Sequence, residues 1–266
     1  MNFAFMSFSC PELSLRELLD LAESLGYDAV EPRLQDGHGH GIEFDCTPEQ
    51  RAEIRATFDT SPIDLCCIAV SCSYADPPTC EQHVNDTHLA IDLAGDLDCK
   101  RLRVFGGHNS VSLSREAAID QCAGALSSVS DHAAERGVTI CLETHDDWRD
   151  PAHVATLMQQ VNHPNIAVNW DIMHPIMAEA CSMEEACETL KPWIRHVHVH
   201  DGTREGPYGL TLVPIGEGIV DHGAALKCLK DMNYDGYISG EWISWEPYDT
   251  HLPRELAALK ALEESL

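Results

Sequence analysis

Four short segments in the second half of the chain, CLETH (141–145), VNWDIMH (168–174), HVHVHDGTR (196–204) and SGEW (239–242), each carry an apolar, strand-like run into a residue that binds metal ions. Glu143, Asp171, His198 and Glu241 together offer three carboxylates and one imidazole. Such a set suits a divalent cation with Mn²⁺ preferred, Mg²⁺ or Co²⁺ as alternatives, and Zn²⁺ less favoured than at thiolate or multi-imidazole sites. The cation would also offset the mutual repulsion of the carboxylates. Each residue taken singly has a plainer use. Glu143 could pair with Arg103, Asp171 could cap the next helix, Glu241 could form an ion pair, and one histidine of the alternating run His196-Val-His198-Val-His200 could be a core residue. Recurrence at the same relative place in four successive strands implies a shared site, because parallel strands closed into a barrel bring their C-terminal ends to one mouth.

The elements that must position these residues alternate regularly. NFAFMSFS (2–9) reads as the first strand, with Ser14 capping a helix that runs to Leu25 and stops at Gly26. YDAVEPR (27–33) is the second strand, and a loop rich in Gly and His (35–45) precedes a helix capped by Thr47 and led by Pro48, ending near Asp59. The third strand is DLCCIAVSC, followed by a helix from about Cys80 to Ala94. KRLRVFGG is the fourth strand, and a long helix from about Ser114 to Arg136 stops at Gly137. VTICLETH, NIAVNWD, IRHVHVHD and GYISGEW are strands five to eight, separated by helical stretches near 151–161, 182–190 and 220–231. An amphipathic helix over 253–266 closes the chain. Eight strand–helix units predict a single α/β domain over residues 1–266, a (β/α)₈ TIM barrel. No glycine-rich nucleotide loop points to an open doubly wound sheet instead.

With 17 Lys+Arg against 44 Asp+Glu, the formal net charge is −27 at pH 7. That charge argues against nucleic acid and anionic membranes as partners. Many of the acidic residues, among them Glu184, Glu185, Glu188, Glu255, Glu263 and Glu264, fall in helical stretches and read as solvated faces. The 12 cysteines form no CxxC pair, several lie inside apolar runs, and the N-terminus reads as a strand rather than a signal peptide. The expectation is a cytoplasmic protein with buried, reduced thiols and no membrane span.

The ordered set LETH, NWDIMH, RHVHVHDGTR, IGEGIVD and GEW resembles the sugar isomerase/epimerase superfamily with a xylose isomerase-like barrel, which includes ketose 3-epimerases, inosose dehydratases and hydroxypyruvate isomerases. The resemblance implies one divalent ion on Glu143, Asp171, His198 and Glu241. It implies substrate contacts from His174, three residues after the metal Asp, and from Arg204, six after the metal His. It assigns proton transfer to Glu143 and Glu241 in an isomerase or epimerase of a sugar or sugar-like α-hydroxy carbonyl compound, through an ene-diolate. An inosose dehydratase-type lyase would use the same parts. His145, His108 and His200 are further candidates for the pocket lining, and Trp242 and Trp170 for apolar walls. Glu31 would contact a substrate hydroxyl or support a ligand. One departure stands out: the epimerases carry a substrate-contacting Glu six residues after the first metal Glu, where this chain has Arg149. Arg149 would favour a substrate carboxylate or phosphate, or else pair with Asp146 or Asp150.

Two other classes compete. A phosphodiesterase resembling endonuclease IV would need clustered Lys and Arg against DNA, which the charge disfavours. A non-catalytic barrel holding a metal or polyol is compatible with fold alone. The substrate is expected to be a small sugar, an inositol-derived compound or a keto acid. Apolar loop residues Tyr208, Leu210, Leu212 and Val213 point to a lid or a partner surface such as a homo-oligomer contact.

Overall fold

A computed structural model describes residues 1–109, 111–205 and 209–266. Its parallel strands are β1 (Asn2–Met6), β2 (Ala29–Glu31), β3 (Asp64–Leu65), β4 (Ile68–Ser73), β5 (Arg101–Phe105), β6 (Thr139–Glu143), β7 (Ile166–Asp171), β8 (Ile194–Val199) and β11 (Tyr237–Gly240). They pair in the order β3-β2-β1-β11-β8-β7-β6-β5-β4. The circle closes where Arg33, beyond β2, bridges Ala69 in β4: Ala69 N–H donates to Pro32 O and Leu34 N–H donates to Ala69 O, both at 3.0 Å. A (β/α)₈ barrel results. The third strand, expected as one run, is split at Cys66 and Cys67, because its first part must pair with β2 and its second with β5.

Local chemistry sets the outer helices α1 (Leu15–Leu25), α2 (Pro48–Asp59), α3 (Pro77–Asp96), α4 (Arg115–Arg136), α5 (Pro151–Val161), α7 (Met183–Leu190), α8 (His222–Asp231) and α9 (Tyr248–Glu264). Ser14 with Glu17, Thr47 with Gln50 and Ser182 with Glu185 form reciprocal capping boxes, and left-handed Gly26 and Gly137 end α1 and α4. Two helices start earlier than expected. Pro77 takes the first turn of α3, where its missing N–H is no loss. Pro253 lies inside α9 because His251 holds the preceding turn, its Nδ1 donating to Glu246 O at 2.9 Å and its Nε2 meeting Ser9 Oγ at 3.0 Å. The short α6 (Met173–Met177) and the antiparallel pair β9 (Asp201–Thr203) and β10 (Thr211–Val213) are too brief for hydrophobic periodicity to reveal.

Period-two alternation gives each strand two buried faces. Phe3, Phe5, Val30, Leu102, Val104, Ile140, Leu142, Val168, Trp170 and Val197 pack outward under the helices. The inner face is different: small Ala4, Ala29, Cys66 and Cys67 form a separate cluster, and Arg103, Asn169, His196 and Ser239 are also fully buried. This polar interior leads up to the ligand residues at the strand ends. Gly216 and Gly218 of the IGEGIVD segment are turn formers around Asp201. Its carboxylate accepts from the backbone N–H of Gly202, Gly216, Gly218 and Val220 at 2.8, 2.9, 3.0 and 3.2 Å. A Cβ on Gly218 would strike that carboxylate.

Ten cysteines are free thiols, all buried except the half-buried Cys181. The expectation of reduced thiols does not extend to Cys187 and Cys228, which are joined as a disulfide between α7 and α8. Those helices are neighbours on the barrel's outside, with the two Cα atoms 6.6 Å apart, within bridging range. Among the described residues no helix is long and apolar enough to cross a membrane.

The loop after β2 carries a pH-sensitive element. His40 is 5% exposed; its Nε2 donates to Arg33 O at 3.1 Å and its Nδ1 accepts from Ile42 N–H at 3.0 Å. That arrangement requires the neutral ring, and burial, helped by the neighbouring His38, pushes its pKa down to about 4. A folded pKa below the unfolded value gives stability that is complete above pH 6.5 and is lost as the pH falls toward 4. The shift corresponds to about 3 kcal/mol at full expression. Urea unfolding of the parent protein and of His40→Gln between pH 7 and 4 should show a shallower decline in the variant; parallel curves would contradict this role for His40.

Candidate active site

Glu143 and Asp171 are the last residues of β6 and β7, His198 is the penultimate residue of β8, and Glu241 follows β11 directly. Neighbouring registers align Asp171 with His198 and His198 with Ser239, so the four side chains rise from adjacent strands. One donor atom of each lies within 4.8 Å of all the others. The first three are fully buried and Glu241 is 6% exposed. His198 Nδ1 lies 2.7 Å from Glu143 Oε1 and 3.2 Å from Glu241 Oε2, while its Nε2 donates to Glu31 at 3.1 Å. Asp171 divides its work: Oδ1 accepts from the backbone N–H of Met173 and His174 at 2.8 and 3.2 Å, capping the chain into α6, and Oδ2 faces His200 Nε2 at 2.8 Å.

The charges are arranged around His198. Burial would strip its proton, but Glu31, Glu143 and Glu241 hold its pKa well above the usual value. Burial disfavours the charged forms of Asp171 and Glu241 too. Nearby imidazoles, His200 and His174 for Asp171 and His198 for Glu241, override it and hold both carboxyls low. Arg103, fully buried, places Nε 3.5 Å from Glu143 Oε2, donates from Nη1 to Val70 O at 3.2 Å and stacks over the Phe105 ring at 4.1 Å. Beyond these contacts with Arg103 and His200, Glu143 Oε2 and Asp171 Oδ2 have no further partner among the described residues. Each thus keeps acceptor capacity unused, and a buried carboxylate oxygen in that state gains from a further cationic partner. Three converging carboxylates and an imidazole, with two such oxygens, fit a divalent cation of the Mn²⁺ or Mg²⁺ type.

A cavity of about 270 Å³ lies over this cluster, lined by His145, His174, His200, Leu210, Leu212, Glu241 and Ile243. His145 and His174 meet edge to face with centroids 4.2 Å apart, and His174 and His200 at 5.5 Å. Burial lowers the His174 pKa to about 4. At His145 it is outweighed by Asp146, 2.8 Å away, and by Glu143, which raise it to about 9. Other residues singled out from the sequence lie elsewhere. Arg204 turns outward to Glu179 at 2.5 Å and Ile176 O at 2.8 Å. His108 is held 3.3 Å from both Asp146 and Asp147 with 74% of its side chain exposed. Trp242 and Trp170 are core residues, and Glu31 is fully buried beneath His198, out of reach of the cavity. Arg149 lines a separate outer pocket with Arg115, Asp146, Asp150 and His153, and among the described residues the ion-pair partners of those aspartates are His108 and His145 for Asp146 and His153 for Asp150, not Arg149. Leu210 and Leu212 wall the cavity, whereas Tyr208 falls outside the described residues. Ile243 was not singled out; its place just beyond the GEW segment was the available signal.

The family model described as "Xylose isomerase-like TIM barrel" matches residues 19–263. The chain belongs to that family. A relative in sequence, 3-dehydroshikimate dehydratase of Bacillus anthracis, is 23% identical to this xylose isomerase-like barrel, with the alignment covering 92% of this chain and 91% of the relative. In structure the barrel is similar to D-psicose 3-epimerase solved in the presence of D-fructose (TM-score 0.80, 17% identity, 99% of both chains). It is also similar to a xylose isomerase-like TIM barrel protein from Mycobacterium smegmatis solved with magnesium (TM-score 0.78, 16% identity, 100% of this chain and 97% of that one). Likeness at that level of identity establishes the shared fold.

Proposed function

We propose that the protein is a divalent-metal-dependent enzyme that removes a proton next to the carbonyl of a small, hydroxylated substrate. The observation that carries this reading is the convergence of Glu143, Asp171, His198 and Glu241 within 4.8 Å beneath a cavity of about 270 Å³. A bound divalent ion supplies electrophilic stabilisation of the negative charge that develops on the carbonyl oxygen. Glu241, on the cavity wall, and Glu143, behind it, carry the acid–base work, and their different positions allow a proton to leave from one side and return from the other. His145, His174 and His200 hold the substrate's hydroxyls. Epimerisation and isomerisation follow from return of the proton to the same or to the neighbouring carbon.

A second outcome, dehydration, has its own support. Leu210, Leu212 and Ile243 give the cavity an aliphatic wall, which suits the flat face of a ring better than an open-chain polyol whose every carbon carries a hydroxyl needing a partner. Arg149, where the epimerases carry Glu, lies outside the cavity, and a relative aligned over 92% of the chain is named a dehydratase. In that reaction the proton next to the carbonyl goes to a carboxylate. The β-hydroxyl then leaves as water with a proton from an imidazole, and a carbon–carbon double bond forms. His145, beside Asp146, is placed to donate that proton.

Deuterium exchange followed by NMR on a panel of ketoses, inososes, hydroxypyruvate and 3-dehydroshikimate, with and without Mn²⁺, tests both readings. Metal-dependent uptake of deuterium next to a carbonyl is expected for at least one class. Exchange with the skeleton retained identifies an isomerase or epimerase, and an unsaturated product identifies the lyase. Stoichiometric Mn²⁺ binding with no exchange across the panel would favour a binding role, and no metal affinity would overturn the proposal.

A further inference from the structure

Beneath the four-ligand cluster the barrel holds a second group of metal-binding side chains, of which only Glu31 also touches the cluster above. Glu31 ends β2, Cys66 lies between β3 and β4, and His196 stands in β8; one donor atom of each lies within 4.8 Å of the other two. All three are buried, at 0%, 1% and 0% exposure. His196 Nε2 donates to Glu31 Oε2 at 2.8 Å, and Cys66 Sγ donates to Val30 O at 3.3 Å. With Nε2–H committed to Glu31, His196 Nδ1 has no hydrogen-bond partner among the described residues. A separate cavity of about 470 Å³ opens at the opposite, N-terminal end of the barrel, and its lining includes Cys66 together with Arg101 and Tyr237. An ion could therefore approach Cys66 without passing the candidate active site.

We propose that Glu31, Cys66 and His196 form a second metal site, selective for soft, zinc-like cations. A thiolate and an imidazole prefer Zn²⁺ or Cd²⁺, whereas the oxygen-rich cluster above prefers Mn²⁺ or Mg²⁺, so the two sites sort metals by ligand chemistry. Charge favours it as well. Cys66 as thiolate, Glu31 as carboxylate and a divalent ion sum to zero beside a neutral His196, and a neutral cluster is what a dry interior tolerates. On binding, the Cys66 thiol proton leaves to solvent and the Sγ–metal bond replaces its hydrogen bond to Val30. The site also has a consequence for the upper cluster. Glu31 accepts from His198 Nε2 at 3.1 and 3.2 Å, so an ion below competes for the carboxylate that orients a ligand above, and each ion weakens the other's binding.

The test is a Cd²⁺ titration of the full chain preloaded with Mn²⁺, followed by the ultraviolet thiolate-to-cadmium charge-transfer band, with free Mn²⁺ read by EPR. Only a thiolate site gives the band. It should saturate at one equivalent, vanish in Cys66→Ser and persist in Cys141→Ser, while the Cys66→Ser protein still binds one Mn²⁺. Absence of the band, or full amplitude in Cys66→Ser, overturns the site. Should Cys66→Ser fail to fold by circular dichroism, His196→Asn decides: loss of the one-equivalent band supports the site, and an unchanged titration rejects it.

Discussion

Glu143→Gln and Glu241→Gln are each expected to lower turnover by roughly 10²–10⁴-fold while the barrel stays folded, the range that loss of a positioned acid–base group produces. Glutamine keeps the volume of glutamate and one acceptor oxygen but neither carries nor exchanges the proton. The fold should survive because neither carboxylate anchors backbone: their polar contacts are with His198 and, for Glu143, Arg103. Each substitution also removes one ligand's negative charge from the metal site, so the assays belong at saturating Mn²⁺, where weakened binding is compensated and the chemical step is read alone. The two variants should also differ in detail. Glu241 faces the cavity and Glu143 does not, so solvent deuterium reaches Glu241 more readily and Glu241→Gln should suppress wash-in more than Glu143→Gln. Near-normal turnover at saturating metal in either variant would remove that residue from the proton-transfer pair.

The parts of this arrangement legible in the sequence are those written in local chemistry. Ser14, Thr47 and Ser182 cap their helices through residues three positions away, and Gly26 and Gly137 stop theirs in a left-handed conformation. The convergence of Glu143, Asp171, His198 and Glu241 was legible for a similar reason: an apolar run fixes where a strand ends, and closure of parallel strands does the rest. The direction taken by side chains just beyond a strand end was not legible. Arg204 is drawn outward by Glu179, in the turn that follows α6. The Trp242 ring folds back over Gly240, where a Cβ would collide with it, and so joins the core instead of the cavity wall. Contacts inside the barrel were equally hidden, because Glu31 and His196 are 165 residues apart and lie on strands that are not sheet neighbours. Inward parity shows that two side chains share the interior, but not which pairs meet across it.

Glu31→Gln is expected to weaken Mn²⁺ binding by roughly 10–100-fold and to leave turnover at saturating metal near the parent value. The expectation rests on the two nitrogens of His198. Nδ1 points at Glu143 Oε1 and Glu241 Oε2, the side on which an ion would sit, and Nε2 donates to Glu31. A carboxylate accepting from Nε2–H fixes the tautomer that leaves the Nδ1 lone pair for the metal, holds the ring plane and raises the basicity of the ligand. Glu31 accepts from His196 Nε2 as well, at 2.8 Å. Glutamine keeps one acceptor oxygen: placed as Oε2 it can accept from His196 Nε2 and, at 3.2 Å, from His198 Nε2, but the negative charge and the 3.1 Å contact of Oε1 are lost, and the NH₂ in that place faces the His198 N–H. His198 is then held less firmly in ring plane and tautomer, and a misaligned His198 lowers affinity without touching the reacting atoms. Mn²⁺ titration by EPR and turnover as a function of Mn²⁺ separate these effects. A rightward shift of both curves with an unchanged plateau is the expected pattern. A lost plateau with unchanged affinity would instead give Glu31 a direct part in the reaction, as a contact to a substrate hydroxyl.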